Sequence, residues 1–227
     1  ALYQSDLVMY DHHPGSYWFQ VGGEAVVGPR TGDHLTPLAS TTMTWGEWRG
    51  FHPDTRLITG AEGRQTWFVI DQYARSFSGG YQDRINDKQF VFPVDEEKLD
   101  GRLAAGEIVL TVEVGDTITA FPLGPDGNAA INSEVGGVPI VVFTKSQGAS
   151  EGAFSRQVAE RTLSFDYRED QDDFVDRETG TSWNFIDRAD SGPLAGERLE
   201  RVSTRRAFWF SVAISFPGVE LFTPGSG

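Results

Sequence analysis

Residues 176–199 read DRETGTSWNFIDRADSGPLAGERL, and residues 11–35 read DHHPGSYWFQVGGEAVVGPRTGDHL. Both stretches place an Asp before a Gly-Ser or Gly-Thr pair and a Trp, and both continue with Gly-Pro, a second Gly and a Leu. The same register extends to Trp45 and Trp209. The agreement of so many uncommon residues in one register indicates an internal repeat.

The two copies differ in what precedes them. A long stretch, residues 103–175, leads into the second copy, whereas the first copy starts close to Ala1 with no initiator Met. We therefore expect three regions: residues 1–65 as the C-terminal part of a first repeat, residues 66–102 as a connecting segment, and residues 103–227 as a second, nearly complete repeat. On this interpretation, the N-terminal part of the first copy is missing.

The chain is strongly acidic and poor in lysine. Its 227 residues carry 33 acidic and 19 basic side chains, for a net charge of −14, and the only lysines are Lys88, Lys98 and Lys145. Surface carboxylates keep a protein hydrated in concentrated salt, where charge repulsion is screened within about 3 Å at 1 M. We expect a halophilic protein, the alternative being an ordinary acidic protein from a GC-rich genome. So negative a surface also argues against nucleic acid as a partner.

Several classes of site are excluded by composition and motif. The chain has no cysteine, and it therefore has no disulfide, thiolate nucleophile or thiolate metal site. No apolar run approaches the roughly 20 residues that span a bilayer. No G-x-S-x-G elbow, Walker loop or G-x-G-x-x-G motif is present, so no catalytic residue is identified.

Short alternating runs between turn residues predict a mainly β fold, a β-rich α+β arrangement of two pseudo-repeats of antiparallel strands. The clearest signal is a hairpin, in which residues 107–114 and 117–121 flank Gly115-Asp116. The apolar run at residues 138–143 predicts a buried strand. Further strands are expected at residues 7–10, 16–21 and 66–70, and two more within residues 153–167.

Two stretches at matching positions predict one short, aromatic-faced helix in each copy. Residues 45–51 have aromatic side chains every third position, and Thr44 with Glu47 fits a capping box. Residues 206–216 place aromatic and apolar side chains along one stripe. We expect each helix to pack its aromatic face on a sheet, with the polar residues 75–98 connecting the two copies.

All four histidines, His12, His13, His34 and His52, lie in the first copy. Imidazole is a common metal ligand, so a metal site built from them is one interpretation. Adjacent residues of a strand point to opposite faces, however, and His52 ends a predicted helix, where it can interact with the last carbonyl groups. A structural role is the interpretation that we favour.

Acidic residues cluster around Phe174. Asp170, Asp172, Asp173 and Asp176 supply oxygen ligands at close spacing, which is compatible with a calcium site. The stretch lacks the central glycine and terminal glutamate of an EF-hand loop. A solvated acidic loop is the alternative that we favour.

At this point the chain resembles the domain-of-unknown-function family numbered 3179, whose members are typically exported or membrane-anchored proteins of bacteria and archaea. The motifs that carry the resemblance fall in both copies. They are Leu7-Val8-Met9-Tyr10-Asp11, Ser16-x-Trp18, Gly28-Pro29-x2-Gly32, Trp45-x2-Trp48 and His52-Pro53-Asp54-Thr55, then Asp100-Gly-Arg102-Leu103, Ala120-Phe121-Pro122-Leu123, Asn132-x-Glu134-x-Gly136-Gly137-x-Pro139 and residues 176–221.

The chain departs from this family at the loop after the Gly-Gly-x-Pro strand. The resemblance implies a Cys-Pro-x-Cys-Gly loop there, which suggests redox or metal chemistry, but residues 144–148 read Thr-Lys-Ser-Gln-Gly. A tryptophan-histidine-glutamate motif is also replaced, by residues 127–130. Without a thiolate there is no disulfide exchange, so we interpret the second copy as degenerate.

We therefore expect an exported, non-catalytic structural or interaction domain, located outside the cell or at its surface. One alternative is a histidine-based metal-binding or redox-associated protein whose active half-copy is missing. The other is a carbohydrate-binding module that uses exposed aromatics such as Trp18, Trp67 or Trp183. The sequence requires no cofactor, although a metal ion would be compatible with it. Open strand edges in residues 1–60 predict pairing with a missing N-terminal segment or in a homo-oligomer.

Overall fold

The computed structural model describes residues 2–56, 80–123 and 127–224. Within these ranges the fold is mainly β, as the sequence predicts. The strands are β1 (Leu2–Tyr3), β2 (Asp6–Tyr10), β3 (Tyr17–Phe19), β4 (Ala25–Val27), β5 (Ile108–Val114), β6 (Thr117–Pro122), β7 (Ala129–Val135), β8 (Val138–Lys145), β9 (Ser150–Ser155), β10 (Gln157–Val158), β11 (Arg161–Thr162), β12 (Phe165–Arg168), β13 (Asp173–Asp176), β14 (Ser182–Trp183), β15 (Ala189–Ser191), β16 (Thr204–Phe208) and β17 (Glu220–Leu221). The α-helices of the described residues are α1 (Trp45–Phe51), α2 (Tyr81–Asn86) and α3 (Trp209–Ser215).

Two four-stranded sheets have the same strand order. The first, β1-β2-β3-β4, lies in residues 2–56, which we call the first segment, and β12-β13-β14-β15 lies in residues 103–224, which we call the second segment. All pairings in both sheets are antiparallel. The register shifts at corresponding places, between Tyr17 and Trp18 and between Ser182 and Trp183.

The rest of the second segment forms two larger sheets and a short ribbon. One sheet has the order β16-β5-β6-β17, the other the order β7-β8-β9, and β10 pairs with β11. The predicted hairpin is present, with Val114 opposite Thr117 and Gly115 at a positive φ of 58°. The predicted buried strand is β8, the central strand of its sheet, whose residues Ile140 and Phe143 are fully buried.

The main core lies between the β7-β8-β9 sheet and the sheet of β12 to β15. Phe143 of β8 stacks on Phe174 of β13 with ring centroids 3.8 Å apart, and Trp183 and Leu199 belong to the same cluster. Because each of these side chains buries a large apolar area, this contact fixes how the two sheets pack.

The two predicted helices exist, but each differs from its prediction. α1 spans the predicted residues and has the capping box of Thr44 and Glu47, yet it contains no buried residue, so the expectation that it packs an aromatic face on a sheet was wrong. α3 starts at Trp209 rather than at residue 206. The preceding residues Thr204–Phe208 pair with β5 instead, because strand hydrogen bonding outweighs the weak helix propensity of this stretch.

The connecting segment contains structure that we did not predict. Its described part includes α2, whose Ile85 is fully buried, and a 3₁₀ turn at Glu96–Lys98. The strand predicted at residues 66–70 lies outside the described residues. Among the described helices, none has the length and apolar character needed to cross a membrane.

Candidate functional site

The repeated sequence motif forms a tight turn around a buried carboxylate in the second segment. Asp176 Oδ2 accepts hydrogen bonds from Trp183 Nε1 at 2.9 Å and from the backbone N–H of Thr181 at 3.2 Å. Its Oδ1 accepts the backbone N–H of Thr179 at 2.6 Å. Asp176 and Trp183 are both fully buried, so the carboxylate organises the turn from inside the protein.

The first segment makes the corresponding contacts closer to solvent. Asp11 Oδ2 accepts from Trp18 Nε1 at 2.7 Å, and Asp11 Oδ1 accepts from the backbone N–H groups of Gly15 at 2.8 Å and Ser16 at 3.2 Å. The hydrogen bond from Trp18, followed by that from Gly15, lowers the pKa of Asp11. The carboxylate is therefore ionised, as a charge-assisted acceptor must be.

Two glycines allow the chain to pass close to these turns. Gly28 and Gly192 have φ values of 112° and 107°, and a Cβ on either would lie 2.8 Å from the Cα of Ser16 or Thr181. The hydroxyls of Ser16 and Thr181 each accept a backbone N–H at 3.1 Å, from Arg30 and Leu194 respectively. The glycines of the repeat are thus required by conformation and by space.

A group of four residues, which we call the junction cluster, joins the two segments. Its members are Thr44 and Glu47 of the first segment and Ser146 and Ser150 of the second. Glu47 Oε1 accepts from Ser146 Oγ at 3.0 Å, while Glu47 Oε2 accepts from Thr44 Oγ1 at 2.7 Å and also from Ser150 Oγ. The Thr44 backbone N–H donates to Ser150 Oγ at 3.1 Å. One carboxylate therefore holds α1 against the turn between β8 and β9.

The electrostatics of the junction cluster favour a charged Glu47. Burial alone raises the pKa of this carboxyl, but the hydrogen bonds from Ser150, Thr44 and Ser146 together outweigh it and the pKa is lowered. Ser146 has a φ of 53°, an uncommon conformation for a residue other than glycine, in the turn that carries its hydroxyl to Glu47.

A buried ion pair lies beside the junction cluster. Glu151, whose side chain is fully buried, forms a salt bridge with Arg206, and Arg206 also donates to the carbonyl of Gly148 at 2.8 Å. Burial raises the pKa of Glu151, opposed by the hydrogen bond of Thr42 and the charge of Arg206. The backbones of Thr42 and Glu151 exchange two hydrogen bonds, of 2.9 and 3.0 Å.

A second contact between the segments involves α3. Ser211 of this helix donates to Asp6 Oδ2 of β2 at 2.7 Å, and burial raises the pKa of Asp6. Ser211 stands at the position of α3 that Glu47 has in α1, 164 residues earlier. Each helix thus reaches a polar group of the other segment from the same helical position.

A polar cleft of about 650 Å³ opens next to Ser146. Asn128 links its walls, because its side chain accepts the backbone N–H of Ser146 and donates to the hydroxyl of Tyr167, both at 2.8 Å. The Tyr167 hydroxyl in turn donates to Asp172 at 2.6 Å. Burial, followed by this carboxylate, raises the pKa of Tyr167, so the phenol stays protonated. The cleft offers hydroxyl, amide and carboxylate groups to a ligand.

The histidines are placed apart in function as well as in sequence. His12, His13, His34 and His52 are all exposed. The ring of His12 meets Tyr10 edge-on at 5.3 Å, and the ring of His52 lies 4.2 Å from that of Trp48. Across residues 2–56, 80–123 and 127–224, no three His, Asp or Glu side chains are grouped so that they could hold a metal ion. The histidine metal site stays a prediction without geometric support.

The acidic cluster is divided among protein partners. Asp172 pairs with Lys145 at 2.6 Å, Asp173 pairs with Arg168, and Asp176 accepts from Trp183. Asp170 is exposed. Because these carboxylates point to different partners, they do not converge on a common centre, and the calcium site likewise stays a prediction.

The tryptophans named for carbohydrate stacking are not available for that role where they are described. Trp18 is 7% exposed and Trp183 is fully buried, each bonded to an aspartate, so the expectation that they are exposed was wrong. Trp67 lies outside the described residues. The residues that sequence reasoning missed are Ser146, Ser150, Glu151 and Arg206, because their partners are more than 50 residues away in the chain. Only Glu47 was noticed, as a helix cap.

Comparison with known proteins identifies the family and nothing more specific. Neither a curated protein nor a solved structure matches the chain. A family model described as a protein of unknown function, DUF3179, matches residues 1–218, a range that contains both segments and the junction cluster. The resemblance inferred from the sequence motifs is therefore confirmed, and the chain belongs to the DUF3179 family of proteins of unknown function.

Proposed function

We propose that this chain is an exported, non-catalytic structural or interaction domain of a halophilic microbial protein. The observation that carries the proposal is the junction cluster, in which one carboxylate, Glu47, accepts hydroxyl hydrogen bonds from both segments. Such a group fixes the relative position of two parts of a chain. It does so at the turn where the family resemblance implies a pair of cysteines.

The chemistry of Glu47 supports a structural role. A general base that activates a serine needs a pKa near the working pH, whereas the hydrogen bonds around Glu47 lower its pKa from an already acidic value. Both serine hydroxyls already donate to this weak base, and Ser150 is fully buried. The cluster is therefore better suited to holding α1 in place than to forming a nucleophile.

Charge and composition support export into a saline medium. The net charge of −14 and the three lysines match the composition of proteins that stay hydrated in concentrated salt, and the family resemblance implies export. Fractionation of the source microbe, with an antibody to this chain, should locate it in the envelope or the medium. Recovery with the soluble cytoplasmic proteins would overturn the assignment to the exterior.

A second candidate function is the binding of a small polyhydroxylated ligand, such as a sugar. The observation that favours it is the cleft beside Ser146, which Asn128, Tyr167 and Glu169 line with polar groups. Titration calorimetry with a panel of mono- and oligosaccharides tests it. Saturable heat that disappears in Asn128→Ala would support it, and heat indistinguishable from dilution for every sugar would exclude it.

The experiment that tests the structural role compares stabilities. Residues of catalytic sites commonly leave stability unchanged, or increase it, when they are replaced, whereas residues that hold a fold together do the opposite. Glu47→Ala should lower the free energy of unfolding in urea by about 2 kcal/mol. Glu97→Ala, at an exposed position of the Glu96–Lys98 turn, is the control and should change it by less than about 0.5 kcal/mol. An unchanged or increased stability in Glu47→Ala would contradict the proposal.

A further inference from the structure

Exposed apolar side chains are distributed very unevenly along this chain. Every large hydrophobic side chain that is exposed among the described residues lies in residues 2–45 or at Val91 and Phe92, and none lies in residues 93–123 or 127–224. The two segments contain sheets of the same strand order, so the difference does not follow from the type of fold. Clustered exposed apolar side chains commonly mark a surface that binds another protein.

Three of these side chains form a row across the first sheet. Tyr10 of β2 stands opposite Tyr17 of β3, and Tyr17 stands opposite Val27 of β4, so all three lie on one face. Their exposed fractions are 49%, 40% and 58%. The two tyrosine rings contact each other with centroids 4.9 Å apart. We call this row the tyrosine ladder.

The second segment has a polar row at the corresponding place. In its sheet Val175 stands opposite Ser182, and Ser182 opposite Ser191. These positions follow Tyr10, Tyr17 and Val27 in the repeat register, by 165 residues before the Gly-Pro pair and its deletion and by 164 at its end. The same sheet therefore accepts serine at two of the three positions. Tyrosine and valine are not needed there for the fold, which leaves their exposure to be explained by binding.

We propose that the tyrosine ladder is the surface through which two copies of this chain associate. This inference rests on the interaction role proposed above and names the partner. The ladder carries no charge, while the chain as a whole has a net charge of −14. A basic partner would be drawn to the carboxylate-rich remainder of the surface instead. An uncharged apolar row fits another uncharged apolar row, and a twofold axis brings the same row of a second copy against it.

The charge of the copies sets the conditions under which they associate. Two chains of net charge −14 repel each other in dilute buffer, and the repulsion is screened within about 3 Å at 1 M salt. Salt also strengthens apolar association when its ions are excluded from protein surfaces. Association through the tyrosine ladder therefore strengthens as the salt concentration rises, the opposite of the behaviour of a contact between opposite charges.

Light scattering after size-exclusion chromatography tests the proposal on the full 227-residue chain. In about 2 M KCl, where screening is nearly complete, the expected mass is twice the 25.0 kDa of one chain. The double variant Tyr17→Ser/Val27→Ser, which gives the first sheet the residues of the second, should have the mass of a single chain. Leu38→Ser is the control, because Leu38 is 83% exposed but lies outside the ladder, and it should keep the doubled mass.

The outcomes separate this inference from the proposed function. A single-chain mass for the unaltered protein at all salt concentrations would overturn the second copy as the occupant. A doubled mass that survives in the double variant would overturn the ladder as the surface. If the double variant does not fold by circular dichroism, Tyr10→Val, the residue of Val175, replaces it in the same assay. The stability test of Glu47 can be made on the single chain, so either result leaves the other open to its own test.

Discussion

The indole Nε1 of Trp183 lies 2.9 Å from Oδ2 of Asp176, and both side chains are completely buried. The same pair of groups occurs between Trp18 and Asp11 at 2.7 Å, where the carboxylate is only partly shielded. One motif therefore appears in two environments within one chain, and substitutions at matched positions can be compared in the same protein.

Replacement of the two aspartates by asparagine should have unequal effects. In Asp176→Asn the amide NH₂ would face N–H donors that it cannot satisfy, in a site without water, so we expect a loss of about 3 kcal/mol in the free energy of unfolding. Asp11→Asn should cost clearly less, because solvent can reach the group. Urea unfolding monitored by circular dichroism measures both. Equal losses would show that burial does not distinguish the two turns.

Two glycines that follow these motifs provide a second matched comparison. Gly192→Ala should destabilise the protein by about 3 kcal/mol, because its Cβ would lie 2.8 Å from the Cα of Thr181 and its φ is 107°. Gly196→Ala is the control, since its φ is 95° but no atom lies within 4 Å of the added Cβ, and about 1 kcal/mol is expected. A larger loss for Gly196→Ala, read from thermal or urea unfolding, would argue against the close approach of the two backbones.

The buried ion pair should make stability depend on pH in a defined direction. Arg206→Met leaves Glu151 buried without its cation, and we expect a loss of about 3 kcal/mol at neutral pH. Glu151→Gln should cost about 1 kcal/mol, because Arg206 is partly exposed and can turn to solvent.

Burial raises the pKa of Glu151, so the folded state binds this proton more tightly than the unfolded state does. Below the unfolded pKa the carboxyl is neutral in both states and needs no cation. The deficit of Arg206→Met should therefore shrink as the pH falls and be full only above the folded pKa. Urea unfolding between pH 4 and 8 measures it, and a deficit that does not change with pH would mean that Glu151 is not the group left uncompensated.

The secondary structure was most predictable where its determinants are local. The hairpin at Gly115-Asp116, the strand β8 and the capping box of Thr44 and Glu47 all follow from residues a few positions apart. The start of α3 was mispredicted because residues 204–208 pair with β5, almost 100 residues earlier in the chain. α2 was missed because its short polar sequence has a single buried residue, Ile85.

The candidate site was less predictable than the fold. The sequence shows the replacement of the cysteine loop, but Ser146 and Ser150 reach Glu47 across 99 and 103 residues, and no periodicity signals such a contact. The exposure of Tyr10 and Tyr17 was equally hidden, since tyrosine alternation in a strand is compatible with either face being buried.

Halophily makes a separate prediction about salt. With a net charge of −14, the unfolding temperature of this chain should continue to rise as KCl is increased from about 0.15 M to about 2 M, because repulsion among carboxylates is screened progressively and the folded surface stays hydrated. Differential scanning calorimetry measures it. An ordinary acidic protein would gain little once the Debye length has fallen to about 8 Å at 0.15 M, so a plateau at that point would contradict the halophilic assignment.

The measurement that tests the structural role most directly is a double-mutant cycle between Glu47 and Ser150. Unfolding free energies of Glu47→Ala, Ser150→Ala and the double variant give the coupling between one residue of each segment. We predict a coupling of about 1–2 kcal/mol, since the bond joins a hydroxyl to a carboxylate in a partly buried site. A coupling near zero, with stability unchanged in both single variants, would mean that the junction cluster does not hold the segments together and that its hydroxyls serve another purpose.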